Sequence, residues 1–412
     1  MTKGILTNIM NFLIVSFLFM QNPLWANQKY SIYIDADFAG ASLSSKSIFQ
    51  GVETALLEVS HEIDGFTFEI KIKDHKGNSR RSKKNLQQYL EDQSALAVFS
   101  GLHSPPLLAN KNYINEQRIL LLDPWAAAGP ITRSNSKENW IFRLSVDDNS
   151  AGMFITQYAL SEGFKKPYLL LEDTGWGRSN KQRMTAALDS ADIKASGASW
   201  FNWGLGVNHA KVILRTIQQS GADVIFLVAN ANEGKVFAKA MLELSSDNNL
   251  PIRSHWGITG GEFIQNFTLE ERNALNLKFI QTRFNFQSGH LSKNANAVLS
   301  LAIKHFSEVT SRHDIKAQTG FVHGYDLMKI FIAAVKQAGL TGDKNKDKLA
   351  IHQALESLNT NVIGLLKTYK KPFSHYSPEI PDAHEALTDK DYAMGKYNKN
   401  NDVELINVKN NL

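Results

Sequence analysis

The chain has 412 residues, 43% hydrophobic and 21% charged, which suits a large buried core and two or three domains and excludes disorder as the default state. Its 45 basic and 40 acidic residues are interleaved, so the net charge of +5 forms no basic arm for nucleic acid, and the basic run Lys71 to Lys84 reads as a solvated face. Cysteine is absent, which excludes a disulfide framework, a thiolate metal site, a cysteine nucleophile and a lipid-bearing cysteine.

In chain order, residues 1–26 read as a cleavable signal peptide. Lys3 gives a thin positive start, Phe12 to Met20 an apolar run, and Leu24 Trp25 Ala26 the cleavage point. The apolar run is short for a spanning helix, which needs about 20 residues, and no later run reaches that length. The expectation is export to the periplasm of an untethered chain that begins at Asn27.

From Tyr30 onward, strand-like runs alternate with amphipathic stretches. Ser31 to Ile34 precedes a helix over Ser45 to Ser60, whose Ile48, Val52, Ala55, Leu56 and Val59 recur at helical spacing. The unit repeats as strand Phe66 to Ile72 with helix Arg80 to Glu91, strand Ala95 to Phe99 with helix Pro105 to Glu116, and strand Ile119 to Leu122 before a loop. A second series opens with helix Ser150 to Ser161 and strand Tyr168 to Leu171. Helix Arg178 to Leu188, strand Ser196 to Trp200, helix Asn208 to Gln219, strand Asp223 to Val228 and helix Glu233 to Leu244 follow. This alternation predicts an α/β fold of two lobes, each a parallel sheet with helices on both faces.

The last third reads as helices over Leu291 to Glu308, Gly324 to Gln337 and Lys346 to Leu358, then extended, turn-rich sequence over Lys370 to Pro381. Strands Phe279 to Phe286 and Val403 to Val408 are predicted to rejoin earlier sheets, so the chain crosses between lobes more than once. The resulting division is 27–147 with 287–358 as lobe 1, and 148–286 with 359–412 as lobe 2.

Motifs for chemistry are missing. There is no G-x-x-x-x-G-K-[ST] loop, and the G-x-G of Gly204 and Gly206 lacks a third glycine and an acidic partner. There is no H-E-x-x-H and the twelve histidines are scattered, His375 and His384 among them, so neither metal nor cofactor is expected. Gly260 Gly261 Glu262 Phe263 matches the cyclic-dinucleotide cyclase signature only in part and reads as a turn opening a helix. No G-x-S-x-G elbow is present, and no enzyme activity is expected.

What remains is a set of residues just after strands, where open α/β sheets bind ligands. Ser104 suits a helix N-cap followed by proline, a structural role that competes with ligand contact. Trp125, Ala126 and Ala127 follow strand Ile119 to Leu122, and Asp148 marks the boundary between the two series. Trp176, Asn230 and Trp256 follow later strands. A single such aromatic is more often packing than ligand contact, whereas recurrence after strands in both series favours a cleft.

These residues lie in a pattern that resembles the leucine/isoleucine/valine-binding family of bacterial periplasmic solute receptors. The likeness runs over nearly the whole mature chain: Gly40 and Gly51, Lys73 Asp74, the turn Phe99 to Ser104, Ile119 to Pro124, and Phe142 Arg143 with Asp147 and Asp148. It continues through Glu172 to Gly177, Gly221 Ala222 Asp223 and Gly324 Tyr325 Asp326. The resemblance implies two doubly wound parallel-sheet lobes joined by three crossings, a type I fold, which close on a small molecule and deliver it to an ABC transporter permease. It places Ser104, Trp125 to Ala127, Asp148, Trp176 and the Asn230 region in the cleft.

The sequence departs from the family pattern where an amino-acid carboxylate is usually held. Pro105 and Pro106 remove two N–H donors from a helix start, and Ala127 replaces a common hydroxyl. The acidic residue for an ammonium group is missing near Trp256 to Thr259, with Asp148 or Glu262 as substitutes. The expected ligand is therefore not an ordinary α-amino acid but an amino-acid-like, amide or aromatic compound resting on Trp125, Trp176 and Trp256. A membrane sensor is the alternative partner to the permease, and a monomer is expected.

Overall fold

The computed structural model describes residues 29–134, 137–244, 249–261, 263–287 and 289–406. The expected signal peptide, Glu262 and the end of the expected strand Val403 to Val408 lie outside the described residues. Among the described residues no helix is long and apolar enough to cross a membrane.

Lobe 1 is laid down as β1 (Lys29–Ala36), α1 (Ser42–Leu57), β2 (Glu62–Ile63), β3 (Phe66–Asp74), α2 (Ser79–Glu91), β4 (Ala95–Ser100), α3 (Ser104–Glu116), β5 (Leu121–Asp123) and β6 (Ile141–Arg143). Its sheet runs β2-β3-β1-β4-β5-β6, parallel except for the short β2. The central strand is β1, where Ile34 pairs with Ile72 on one side and Phe99 on the other. Both faces of this strand are covered, so seven of its eight residues are buried.

Lobe 2 follows as α4 (Asp148–Ser161), β7 (Pro167–Glu172), α5 (Gly175–Asp189), β8 (Gly197–Phe201), α6 (Val207–Gln219), β9 (Val224–Val228), α7 (Ala231–Glu243), β10 (Ile252–Ser254), α8 (Leu269–Ala274) and β11 (Leu277–Thr282). Two late strands, β14 (Tyr392–Tyr397) and β15 (Val403–Ile406), extend the sheet antiparallel, giving β15-β14-β11-β10-β9-β7-β8. The parallel parts wind alike: β3-β1-β4-β5-β6 in one lobe and β8-β7-β9-β10-β11 in the other. Each lobe therefore has one switch point, between β1 and β4 and between β7 and β9.

Period-two geometry sorts the core of lobe 2. On β7, Leu169 and Leu171 face the hydrophobic cluster shared with lobe 1, whereas Tyr168 and Leu170 face a separate cluster on the outer side. The shared cluster also contains Trp125, Trp176 and Trp256. The apolar core is thus continuous across the cleft.

Helices α9 (Lys293–His305), α10 (Gln318–Ala338) and α11 (Lys344–Glu356) return to lobe 1. Helix α10 is buried along most of its length against α1. Glycine makes that approach possible: a Cβ at Gly51 would lie 2.1 Å from the Phe321 carbonyl oxygen, and one at Gly324 would lie 2.8 Å from that of Ile48.

The assignment of 359–412 to lobe 2 is corrected in its first part. The hairpin β12 (Val362–Ile363) and β13 (Thr368–Tyr369) docks on α10, where Asp326 accepts from Leu365 N at 2.6 Å, Leu366 N at 3.0 Å and the Tyr369 hydroxyl at 2.7 Å. Residues 384–386 then run beside β6, with Arg143 N donating to His384 O and Ala386 N to Arg143 O, both at 2.9 Å. Only after residue 391 does the chain enter the second sheet. The lobes are therefore joined at 144–147, between β11 and the next helix, and at 388–391.

Gly51→Ala is expected to destabilise the protein by about 2–3 kcal/mol, because the new methyl meets backbone that no rotamer change can move aside. Urea denaturation of the variant and the parent measures the difference.

Candidate functional site

The two switch points face each other. Lobe 1 contributes the loops after β1 and β4, with Asp37 and His103, and lobe 2 those after β7 and β9, with Trp176 and Asn230. The structure brings Ser104, Trp125, Ala127, Trp176, Asn230 and Trp256 around one narrow space. That space measures only about 10 Å³, room for a single water at most. The indoles fill it. Trp125 and Trp256 pack edge to face with ring centres 6.1 Å apart, and Trp176 meets the His255 ring at 5.0 Å. A Cβ at Gly257 would lie 2.8 Å from Trp176.

Two expected roles change. Ser104 is the first residue of α3 and not its cap, a position held by His103. Its hydroxyl instead accepts from Ala128 N at 3.2 Å and ties α3 to the loop after β5. Asp148 is fully buried and already has partners: His255 Nε2 lies 3.1 Å from Oδ1, and the Trp176 indole N–H donates to the same oxygen at 3.3 Å. Burial pushes the Asp148 carboxyl up, with His255 opposing. Ala126 is buried behind the loop, its N–H held at 2.9 Å by Asp123.

Beside the indoles the cleft opens into a cavity of about 350 Å³, in the size range of small-molecule sites. Lobe 1 lines it with Asp37, Ser44 and His103, and lobe 2 with Trp203, Asn232 and Glu233. Trp203, in the loop after β8, reaches across to lobe 1: its ring centre lies 5.0 Å from that of His103, and a Cβ on Gly77 would meet it at 3.2 Å. His103 Nε2 is 3.2 Å from Asp37 Oδ2. Burial pushes the Asp37 carboxyl up, but the contacts with His103 and the Gly40 N–H win and hold it below its ordinary value.

Each lobe also directs a helix start at this cavity. Helices α1 and α7 begin beside it, at Ser42 and Ala231, and neither Ala41 nor Asn230, the residues in the cap positions, makes a side-chain cap. The first N–H groups of a helix have no partner within it, and they favour negative charge. By contrast, Asn78, Asp147 and Thr174 cap α2, α4 and α5. Deeper in, Glu172 accepts from Asn230 Nδ2 at 3.0 Å. Burial raises its carboxyl to about 7, opposed by Trp203, His103 and Thr174 and assisted by Glu233.

The crossings between lobes are knotted behind the cleft. Arg143, at the end of β6, is fully buried. Its guanidinium donates to Glu385 at 2.9 and 2.6 Å, to Asp147 at 2.9 Å and to the Ala128 carbonyl at 2.9 Å. Asp147 N in turn donates to the Tyr392 hydroxyl at 2.9 Å, joining the first crossing to the third. The second joins the third through Arg283, whose N and Nε donate to the Asp391 and Lys390 carbonyls at 3.0 and 2.6 Å. His323 on α10 sits between Pro124 O at 3.1 Å and Thr282 Oγ1 at 3.2 Å.

Sequence reasoning missed Asp37, Trp203 and Glu233. Trp203 carried the same signal as the other indoles, an aromatic just after a strand. Asp37 follows β1, whose switch-point role emerges only once β1 is seen between β3 and β4.

The model of the family described as periplasmic binding protein matches residues 36–371. Solved structures share the fold at low identity. A type 1 periplasmic binding protein from Bordetella pertussis Tohama I superposes with a TM-score of 0.76 at 16% identity, over 92% of this chain and 100% of that one. A Rhodopseudomonas palustris ABC transporter solute binding protein in complex with 4-hydroxybenzoate has a TM-score of 0.72 at 17% identity, over 92% and 96%. The branched-chain amino acid transporter substrate binding protein LivJ of Streptococcus pneumoniae, in complex with isoleucine, has 0.72 at 16%, over 92% and 99%. No curated protein matches the chain.

Arg143→Met is expected to cost about 3 kcal/mol in chemical denaturation, since it strands the buried Asp147 and Glu385 carboxylates beside an apolar side chain.

Proposed function

The chain belongs to the periplasmic binding protein family, and from that premise we propose that it captures an amino-acid-like organic solute and hands it to an ABC transporter permease. The observation that carries this reading is the cavity of about 350 Å³ at the paired switch points. Its chemistry is that of a zwitterion site. The uncapped starts of α1 and α7 suit an acidic group, the Asp37 and Glu233 carboxylates suit an amine or amide, and Trp203 offers a flat apolar wall. Trp125, Trp176 and Trp256 act as the packed floor of the cleft rather than as the ligand platform.

Capture proceeds by closure of the lobes. Direct contacts already span the cleft: Ser44 donates to Gly260 O at 2.9 Å, Asn232 to Gly40 O at 3.3 Å, and Gly129 N to Ser179 Oγ at 3.2 Å. A solute held by both lobes stabilises this closed form, and the knotted crossings act as the hinge. The proposed setting is the periplasm, reached through the N-terminal signal segment, with no chemistry done on the solute.

A thermal-shift screen of residues 27–412 against amino acids, amides and aromatic acids tests the reading. A true ligand at 100 times its dissociation constant adds about 2.7 kcal/mol of stability. Trp203→Ala is expected to weaken the hit about tenfold or more by calorimetry. If no compound bearing both an acidic and an amino or amide group binds, the assignment of solute class fails.

Affinity for such a solute should also follow pH. Glu172 is neutral below about 7 and ionised above it, so the pull on an amine rises as pH rises through that point. Calorimetry between pH 6 and 8 should show this rise in the parent and a flatter profile in Glu172→Gln.

A further inference from the structure

Outside the cleft, His352 and Glu356 on α11 and His384 on the returning segment converge, with their ligand atoms all within 4.8 Å of one another. Spacing of four residues puts His352 and Glu356 on one helix face. His384 Nε2 lies 3.1 Å from Glu356 Oε1, and His352 Nδ1 lies 4.0 Å from Oε2. The opposite nitrogen of each ring is committed to the backbone: His352 Nε2 is 2.8 Å from Asn139 O, and His384 Nδ1 is 3.0 Å from Ile141 O.

A carbonyl oxygen only accepts, so those outer nitrogens carry the N–H. In a neutral ring the nitrogen facing Glu356 is then a lone pair. Glu356 also accepts from Tyr376 N at 3.1 Å. With both rings neutral, two lone pairs and a carboxylate face one another. Backbone carbonyls that fix the ring tautomer from behind are the usual support of a metal-binding histidine. Tetrahedral zinc, with bonds of about 2.0–2.1 Å, holds its ligand atoms about 3.3 Å apart; the His384–Glu356 separation of 3.1 Å already matches, and His352, at 4.0 Å, has to draw in.

We propose that His352, Glu356 and His384 form a divalent transition-metal site of the zinc type, completed by His375, that clamps the returning segment onto α11. His375 is exposed, and its Nδ1 lies 3.0 Å from Glu356 Oε2, the oxygen opposite the one that His384 meets, so a turn of this free side chain brings it to the ion. The mixed imidazole and carboxylate set suits Zn²⁺ or Co²⁺ and not the all-oxygen cations. The clamp adjoins the hinge, because Glu385, next to His384, is the residue that binds Arg143.

The test is titration of the chelator-stripped full chain with Co²⁺ and Zn²⁺. The expected result is one equivalent of Co²⁺ with the visible absorption of a tetrahedral ion, displaced by Zn²⁺, and a melting temperature raised by several degrees with Zn²⁺. Glu356→Gln should abolish the signal. His375→Ala changes an exposed residue that the fold does not need, and should weaken binding about tenfold while leaving the circular dichroism spectrum intact. Absence of the tetrahedral spectrum and of the melting shift in the parent would mean that a proton alone bridges His384 and Glu356, and would overturn the proposal. Unchanged binding in both variants would overturn it as well.

Discussion

The arrangement turns on a buried cation. Removing a guanidinium from water costs several kcal/mol even after relaxation, and Arg143 is tolerated because its environment answers nearly every donor. Two carboxylates and two carbonyls surround it, drawn from three places in the chain: the loop after β5, which gives both carbonyls, the start of α4, and the segment beside β6. A second arginine, Arg133, binds Asp147 at 2.7 and 3.0 Å, so the two acids are matched by two bases. The order of construction follows from this. The loop bearing Trp125, the first crossing and the third crossing cannot be set independently, because each completes the solvation of the same ion.

Around that knot the two lobes are built on one plan. Each places its first parallel strand between the next two parallel strands, β1 between β3 and β4 and β7 between β8 and β9, and so opens a crevice at the carboxyl end of its sheet. Two crevices set face to face make a cleft, but they do not decide how much of it stays open. Here three indoles occupy the inner part and extend the apolar core from one lobe to the other. What remains is the outer cavity, which sets the Asp37 and Glu233 carboxylates against the apolar wall of Trp203 and lies beside two bare helix starts. Packing density within the cleft, and not topology, decides how much of it stays open.

Much of the architecture was legible in the sequence, because hydrophobic period reports local structure directly. The helix at Ser45 to Ser60 appears as Ser42–Leu57, and the strand Ala95 to Phe99 as Ala95–Ser100. The strand Phe279 to Phe286 stops at Thr282, where the chain leaves the sheet for a crossing, and the apolar residues beyond it pack on α10 instead: Phe286 meets Phe321 at 5.4 Å. β14 was not foreseen, since Gly395 in its middle weakens the strand pattern. Six of the eight candidate residues line one space, without Ala126 and Asp148, and an indole that packs looks the same in sequence as one that faces open space. Trp176 packs on His255 and Gly257 and Trp256 on Trp125 and His255, whereas Trp203 is exposed. The histidines looked scattered for a related reason: His352 and His384 meet through a return of the chain that no local period encodes.

That return explains why segment 384–386 adds more than an edge to lobe 1. His384 and Glu385 are neighbours that face different partners, the first stacked on Phe142 with ring centres 3.9 Å apart and directed at Glu356, the second closing on Arg143. Phe142 and Arg143 are themselves neighbours on β6, so two adjacent residues on each side interlock as a pair of contacts, one aromatic and one ionic. A shift of the segment by one residue would swap the acid and the imidazole and leave Arg143 buried without Glu385. The segment is thus fixed in register by the cost of an unpaired buried charge, and through Asp147 and Tyr392 the same register is passed to the crossing between the lobes.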